Sequence, residues 1–333
     1  MKYLALCLVT AGLAGAVRGV RAEDTVPLRL LRCPTTSAAA VTQWQRTTRT
    51  TLFALLNIDD LVAADRHDDA GRGTLPLHPR VLDQQPGARF ARYLIEIDSR
   101  PDRRIQVVVT VPNGARPHAT PAVVCIHGHG GTRDVVYDRT TVYHGFATTL
   151  AENGYVTLSA NVGQHTVQDK SRTLMGERLW DLIRVVDLAV SREEVDATRI
   201  GCAGLSLGGE MAMWLGAMDP RIQVVVSAGF LTLMENLRVG HCMCWDFPGL
   251  QRRYEFSDIY SLIAPRPLQC QNGRKERLPG GFPVDLAERA MTEIQQVYRV
   301  LGHADAARLA VHDAGHVFDV GLGKSFLDAA LQR

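Results

Sequence analysis

The stretch Gly204-Leu205-Ser206-Leu207-Gly208 decides how the fold of this 333-residue chain is interpreted. It places a serine between glycines, directly after an apolar run at 199–203 and before a helix-compatible run at 209–218. A serine on a sharp turn from strand to helix is the arrangement of a nucleophile elbow, and small neighbours permit the strained backbone. We therefore predict that Ser206 is a nucleophile, provided that a base, an acid and an oxyanion loop occur elsewhere in the chain.

The regions around this turn alternate strand-like and helix-like runs. Such alternation is typical of a mostly parallel central sheet with helices on both faces. Two further apolar runs, separated by a short turn, predict an antiparallel hairpin at the leading edge of the sheet. The hairpin runs are 91–97 and 105–112; the later strand-like runs are 122–126, 155–159, 199–203, 223–228, 268–271 and 308–312; the helix-like runs are 143–153, 174–191, 284–301 and 323–331.

The first 22 residues have the features of a secretory signal peptide. Lys2 precedes an apolar run at 3–17, and Ala22 supplies a small residue for cleavage. The run is too short to span a bilayer comfortably, and no later stretch of about 18 apolar residues appears. We predict cleavage near Ala22, a secreted or periplasmic protein and no membrane span.

The remaining chain divides into an extension and a catalytic domain. Residues 23–90 are predicted to form an N-terminal extension of helix and loop, with a helix at 38–56, that packs on the main domain instead of folding alone. Residues 91–333 are predicted to form the catalytic domain. An insertion at 230–257 follows one of its strands, and we expect this insertion to lie near the pocket or to pack without contacting substrate.

A base and an acid are expected downstream of the serine. His316 stands in a loop between the last strand and the last helix, where an imidazole can reach the elbow. Glu276 follows the 268–271 strand, which gives the chain order serine, acid, histidine. The alternative interpretation of Glu276 is an exposed glutamate in a charged loop. Asp246 and Asp258 are the reserve candidates for the acid.

Two backbone N–H groups are expected to form an oxyanion hole. Leu207 follows the nucleophile, and His129 lies in the loop His127-Gly128-His129-Gly130-Gly131 after the 122–126 strand. An alternative is that His127 and His129 bind a metal as a pair. The segment at 241–244, His-Cys-Met-Cys, likewise resembles part of a metal site, but three ligand-type residues without a second cluster are weak evidence. We therefore predict no metal and no cofactor.

The bulk composition excludes several classes of partner. The net charge is +2, with acidic and basic residues interspersed, so no nucleic-acid surface is predicted. The chain is 46% hydrophobic and 22% charged, which is ordinary for a globular protein. Cysteine pairing and oligomeric state are left open. The cysteines beyond the signal are Cys33, Cys125, Cys202, Cys242, Cys244 and Cys270.

Taken together, these motifs resemble the α/β-hydrolase superfamily, and more closely its dienelactone hydrolase/acetyl xylan esterase-like group. The resemblance covers about residues 90–333 and implies the α/β-hydrolase fold. Relatives usually carry aspartate where Glu276 stands, and the glucuronoyl esterase branch carries arginine where Leu207 stands. The shared motifs are His127-Gly128-His129-Gly130-Gly131, Trp180-Asp181, Gly204-Leu205-Ser206-Leu207-Gly208-Gly209, Asp258-Ile259, Ala264-Pro265-Arg266-Pro267 and Gly315-His316.

The sequence therefore predicts a serine-dependent carboxylic ester hydrolase that forms an acyl-enzyme and acts on acetylated or other small external esters. Its predicted partner is a small-molecule ester. The alternatives are a peptidase or amidase that uses the same triad, and a catalytically silent binding protein of this fold. The sequence does not specify the acyl group or the alcohol.

Overall fold

In the computed structural model, residues 29–69 and 71–332 are described, so the predicted signal segment at 1–22 lies outside them. This part of the chain forms one nine-stranded sheet in the order β1-β2-β3-β5-β4-β6-β7-β8-β9. The strands are β1 Arg80–Gln85, β2 Phe90–Arg100, β3 Arg103–Pro112, β4 Thr120–Ile126, β5 Val156–Ala160, β6 Val195–Leu205, β7 Ile222–Ala228, β8 Leu268–Gly273 and β9 Ala307–His312.

The pairing directions match the predicted fold class. The β1, β2 and β3 strands pair antiparallel, and β3 pairs antiparallel with β5. From β5 to β9 every neighbouring pair is parallel. A mostly parallel sheet with an antiparallel leading edge is thereby confirmed, and the carboxyl ends of its parallel strands share one edge, where ligands bind in such sheets.

Helices cover the two faces of the sheet, because the inner strands are apolar on both. Every residue of β4 is buried, and its side chains alternate between two hydrophobic clusters. One cluster includes residues of α1, α4, α5, α8 and α9, and the other includes residues of α3 and α10. The helices are α1 Ala38–Leu55, α2 Asp59–Ala64, α3 Phe146–Glu152, α4 Leu174–Ser191, α5 Leu207–Met218, α6 Met234–Leu237, α7 Leu250–Arg253, α8 Phe256–Ser261, α9 Val284–Val300 and α10 Val320–Leu331.

The N-terminal segment packs on the sheet domain through polar contacts. Arg29 donates to Asp258 at 2.7 Å and to Glu293 at 3.0 Å. Gln45 of α1 donates to the carbonyl of Ser261 at 2.9 Å. These bonds join the segment to α8 and α9, so it packs directly against the helices of the sheet domain.

One feature of this segment differs from the sequence-based expectation. The β1 strand lies inside the region predicted to be helix and loop, yet it extends the sheet by pairing with β2. All six residues of β1 are exposed, so the strand lacks the alternation of apolar and polar residues that identifies a half-buried strand. Elsewhere the predicted strands and helices agree with the structure to within a few residues at their ends, the β6 strand beginning four residues early.

Within residues 29–69 and 71–332 no helix is long and apolar enough to cross a membrane.

Candidate active site

Ser206 stands at the turn between β6 and α5, where the backbone is strained. Its φ is 63° and its ψ is −124°, values that a non-glycine residue rarely adopts. The two motif glycines make the turn possible, since a Cβ on Gly204 would lie 2.2 Å from the carbonyl oxygen of Gly208. A Cβ on Gly208 would lie 2.2 Å from the carbonyl oxygen of Ile126. The sequence therefore folds here into the elbow that the pentapeptide predicts.

The loop after β4 lies directly against this elbow. A Cβ on Gly128 would lie 3.0 Å from Cβ of Ser206, so a side chain there would crowd the serine. The Gly128 N–H donates to the hydroxyl of Tyr143 at 2.6 Å, which fixes the inner part of the loop. Among the described residues, the N–H groups of His129 and Leu207 donate to no acceptor. Both predicted oxyanion donors are thus free to bind a ligand, and Leu207 is the first residue of α5, where amides carry partial positive charge.

His316 and Glu276 meet at the carboxyl edge of the sheet. His316 Nδ1 lies 3.1 Å from Glu276 Oε1, and the Glu276 side chain is only 2% exposed. The second carboxylate oxygen, Oε2, accepts from the backbone N–H of Phe282 at 2.8 Å. The Phe282 ring stacks on the His316 imidazole, with centroids 5.6 Å apart and planes inclined by 18°. Because an ionised carboxylate can only accept, we assign the proton to Nδ1, which leaves Nε2 as an acceptor.

The end of β7 separates the serine from the histidine. Ser206 N–H donates to the carbonyl of Ala228 at 2.9 Å, and the next residue, Gly229, lies against the His316 ring. A Cβ on Gly229 would lie 2.8 Å from Cε1 of His316. Among the described residues no hydrogen bond joins the Ser206 hydroxyl to His316, and such bonds in unliganded enzymes often tighten only when substrate binds.

The two reserve acids occupy other positions. Asp258 is buried under the N-terminal segment, where it accepts from Arg29 and from the backbone N–H of Cys33. Asp246 accepts from Gln251 at 2.7 Å. Neither carboxylate is bonded to the imidazole that Glu276 contacts.

His127 is not free to pair with His129 around a metal ion. It is fully buried, and both of its ring nitrogens already have partners. Its Nδ1 lies 2.8 Å from the carbonyl of Gly128, and its Nε2 accepts from the backbone N–H of Val162 at 3.0 Å. The buried ring therefore supports the loop after β4, and burial lowers the pKa of His127.

Comparison with known proteins agrees with this geometry. Residues 89–237 match the family model described as acetyl xylan esterase (AXE1). YtaP of Bacillus subtilis (strain 168), which carries a provisional hydrolase name, is 29% identical over 279 residues, a match that covers 71% of this chain and 91% of YtaP. A glucuronoyl esterase from Solibacter usitatus superposes with a TM-score of 0.66 at 15% identity, over 93% of this chain and 99% of the other.

An acetyl xylan esterase from Paenibacillus sp. R4 superposes with a TM-score of 0.58 at 19% identity, over 86% of this chain and 94% of the other. The chain has the α/β-hydrolase fold. At these identities the structural matches speak for the fold, whereas the family model confirms the predicted resemblance to acetyl xylan esterases. The predicted enzyme class, a carboxylic ester hydrolase, is confirmed by the same match.

The insertion at 230–257 of this hydrolase packs beside the proposed base. His241 contacts the Phe282 ring edge-on at 5.0 Å, and Phe282 in turn stacks on His316. Trp245 is buried against Phe256 at 5.4 Å. The insertion therefore packs beside the proposed base, and its contact with substrate stays a prediction.

Two buried charged residues near the wall escaped the sequence analysis. Arg178 of α4 is fully buried and donates to the carbonyl of Gln164 and, at 3.5 Å, to Sγ of Cys244. Glu210 lies one helical turn after Ser206, and its burial raises its pKa to about 8. In the sequence both residues stand within apolar helices. That is the signal that could have identified them, because Glu and Arg are almost never fully buried unless they have a partner.

Trp180 and Asp181, by contrast, form part of the framework. The Trp180 indole donates to the carbonyl of Ser99 at 2.8 Å, and Asp181 accepts from the Ser99 hydroxyl and from Arg103. This motif therefore fixes α4 against the β2–β3 hairpin.

Proposed function

We propose that this α/β-hydrolase cleaves carboxylic esters by a serine mechanism in which Ser206, His316 and Glu276 are the catalytic residues. The observation that carries the proposal is the strained Ser206 backbone beside two unpartnered N–H groups. The His316 imidazole, oriented by a buried glutamate, lies on the other side of Gly229. A serine hydroxyl is a weak nucleophile until a base accepts its proton, and this arrangement provides one.

The reaction proceeds in two halves. Nε2 of His316 accepts the hydroxyl proton while Oγ of Ser206 bonds to the ester carbonyl carbon, and the carbonyl oxygen becomes an oxyanion. The N–H groups of Leu207 and His129 stabilise that charge. Collapse of the intermediate breaks the bond to the alcohol, which leaves with the proton from His316. Water, deprotonated by the same imidazole, then attacks the acyl-enzyme and releases the carboxylic acid and Ser206.

Glu276 acts on the imidazole without touching the substrate. Its Oε1 accepts a hydrogen bond from the Nδ1–H group and stabilises the imidazolium that forms in each half-reaction. Its second oxygen is fixed by the Phe282 N–H, so the carboxylate cannot rotate away. Glutamate in place of the aspartate usual in this group therefore still reaches the ring, at 3.1 Å.

The substrate we propose is a small acyl ester, such as an acetylated carbohydrate, outside the cell. The match of residues 89–237 to the acetyl xylan esterase model supports the acetyl group, and the signal-like residues 1–22 support export. Release of acetate from acetylated xylan by the purified protein tests the first point. Mass spectrometry of the exported protein tests the second, and a mature chain that begins near Glu23 is expected.

Substitution of the nucleophile tests the mechanism. In Ser206→Ala we expect kcat on p-nitrophenyl acetate to fall at least about 10⁴-fold, because the group that forms the acyl-enzyme is lost. A fluorophosphonate probe is expected to label Ser206 in the wild type and to leave the variant unlabelled. Ser191→Ala, at an exposed position at the end of α4, is the matched control and should keep wild-type activity.

Retention of activity by Ser206→Ala would exclude the mechanism. Absence of fluorophosphonate labelling together with absence of ester turnover would favour the silent binding protein. Faster turnover of p-nitroacetanilide than of p-nitrophenyl acetate would favour the amidase.

A further inference from the structure

Four metal-ligating side chains meet beside the oxyanion loop. His129, His165, Cys242 and Cys244 each place one ligand atom within 4.8 Å of the other three. Nε2 of His129 lies 3.0 Å from Sγ of Cys244, and the two imidazole rings have centroids 5.2 Å apart. They come from three segments: the loop after β4, the loop after β5 and the insertion at 230–257.

The chemistry of this group suits one class of cation. Two thiolates and two imidazoles form the tetrahedral set that Zn²⁺ prefers, with bonds of about 2.3 Å to sulfur and about 2.0 Å to nitrogen. Such bonds require ligand atoms about 3.3–3.8 Å apart in a tetrahedron. His129, His165 and Cys242 are exposed, so they can close around an ion that arrives from solvent. We propose that these four residues bind one Zn²⁺.

The charges around the group are compatible with a bound cation. Arg178 lies 3.5 Å from Sγ of Cys244, a position from which its N–H can donate to a coordinated thiolate and orient it. Binding releases one proton from each thiol, and the two thiolates neutralise the charge of the ion. The polar contacts of the group thus resemble those that surround a ligated sulfur.

A second group of metal-ligating side chains is surrounded by more positive charge. Asp65, His67 and Asp187 also lie within ligand distance of one another. Arg184 bonds to both of these carboxylates, at 3.1 and 2.7 Å, and Arg221 bonds to Asp187 at 2.5 Å. Two guanidinium groups already neutralise that group, so it carries no proposal.

A site with four protein ligands leaves no position for water or substrate, so its role is structural. The ion would join the loop that carries the His129 N–H to the wall at 230–257. This inference does not depend on the esterase proposal, because the ion can be measured in a protein with no activity. It differs from the sequence-based expectation of no metal, in which the 241–244 segment lacked a second cluster.

Metal content and cobalt substitution test the site. Tag-free mature protein, purified under reducing conditions without chelator, is expected to contain about one zinc per chain. After zinc removal, Co²⁺ alone should produce thiolate-to-metal charge-transfer absorption and the strong visible bands of tetrahedral cobalt. In the double variant Cys242→Ser/Cys244→Ser these bands should vanish, and Co²⁺ affinity should fall about 10²-fold or more.

Matched controls separate loss of the ligands from misfolding. Met243→Ala changes the residue between the two cysteines, and His303→Gln changes an exposed histidine elsewhere; both should bind Co²⁺ as the wild type does. His165→Gln should weaken binding at least about tenfold while its circular dichroism in chelator stays unchanged. Any of three results would overturn the site. The first is a wild type without the thiolate band, and the second is equal zinc in the double variant, which indicates an adventitious ion only. The third is a Cys242–Cys244 disulfide in protein isolated in parallel without reductant.

Discussion

Replacement of Glu276 by glutamine tests the geometry of the triad more sharply than removal of its side chain. The two glutamate oxygens have different partners, Oε1 facing His316 Nδ1 at 3.1 Å and Oε2 accepting from the Phe282 N–H at 2.8 Å. In Glu276→Gln the amide oxygen must face the Phe282 N–H, because a buried donor without an acceptor is costly. The amide NH₂ then faces Nδ1.

This orientation of the amide reverses the tautomer of the His316 imidazole. Nδ1 of His316 must accept from the amide, so the proton moves to Nε2, which can no longer accept the hydroxyl proton of Ser206. Imposing the wrong tautomer in this way lowers kcat by about 10³–10⁴-fold, equivalent to about 4–5 kcal/mol of transition-state stabilisation. The variant keeps the shape of the side chain and its bond to Phe282, so its melting temperature should change little.

Steady-state kinetics on p-nitrophenyl acetate measure the effect. Glu276→Asp withdraws the carboxylate by about 1.5 Å, one C–C bond, and should cost about 10²-fold in kcat. Glu288→Gln, at an exposed site on α9, and Asp246→Asn, at the reserve acid, should both retain wild-type kcat. If Glu276→Gln keeps more than about a tenth of wild-type kcat, Glu276 is not the triad acid and the tautomer argument fails.

Three further predictions concern the surroundings of the site. Gly229→Ala should lower kcat about 10–100-fold, because its Cβ would lie 2.8 Å from the imidazole. Gly302 also has a positive φ, 80° against 58° at Gly229, but has open space around it, so Gly302→Ala should affect only stability. Equal kcat values for the two variants would refute the contact. Tyr143→Phe leaves a buried N–H without its acceptor and should cost about 1–3 kcal/mol in urea unfolding, and a loss below about 0.5 kcal/mol would contradict this. The His67 pKa is raised chiefly by its hydrogen bond to Asp187, so the protonated ring stabilises the fold below about pH 6.5 and the gain is lost as the pH rises through the raised pKa. The melting temperature of His67→Gln should therefore fall below that of the wild type at pH 5.5 and match it at pH 9. The corresponding loss in the free energy of unfolding at pH 5.5 should be under about 1 kcal/mol, and a difference that does not change with pH would contradict the assignment.

The elements that surround the elbow were predictable because they are buried on both sides. The β4 strand is a continuous apolar run, and the α4 helix has the bounds 174–191 that the sequence indicates. The composition of such a run indicates that it is buried, since a strand between two helical layers has no polar face. The β1 strand could not be found in this way, because all of its residues are exposed and its sequence has no apolar face, although it pairs with β2.

The candidate site was predictable only as far as its motifs are local in sequence. Ser206 and the 127–131 loop are each defined by adjacent glycines, and His316 by its place after the last strand. The acceptor for the Gly128 N–H, Tyr143, lies 15 residues away and has no sequence signature. The metal-type cluster was visible only as two unrelated fragments, because His129 and Cys244 are 115 residues apart and meet through the fold.

These long-range contacts bear on how a glycine-rich loop could act as the proposed oxyanion hole. Glycines allow close approach to substrate, but they also give the free loop the greatest conformational freedom, and electrostatic stabilisation requires donors that are already in place. The loop is fixed on its inner side by the Tyr143 hydroxyl, which accepts from Gly128, and by the buried ring of His127. On its outer side the ring of His129 contacts Cys244 of the insertion. The orientation of the His129 N–H therefore depends on contacts with other segments of the chain, and substitutions in the wall can alter the rate as well as the specificity of the proposed reaction.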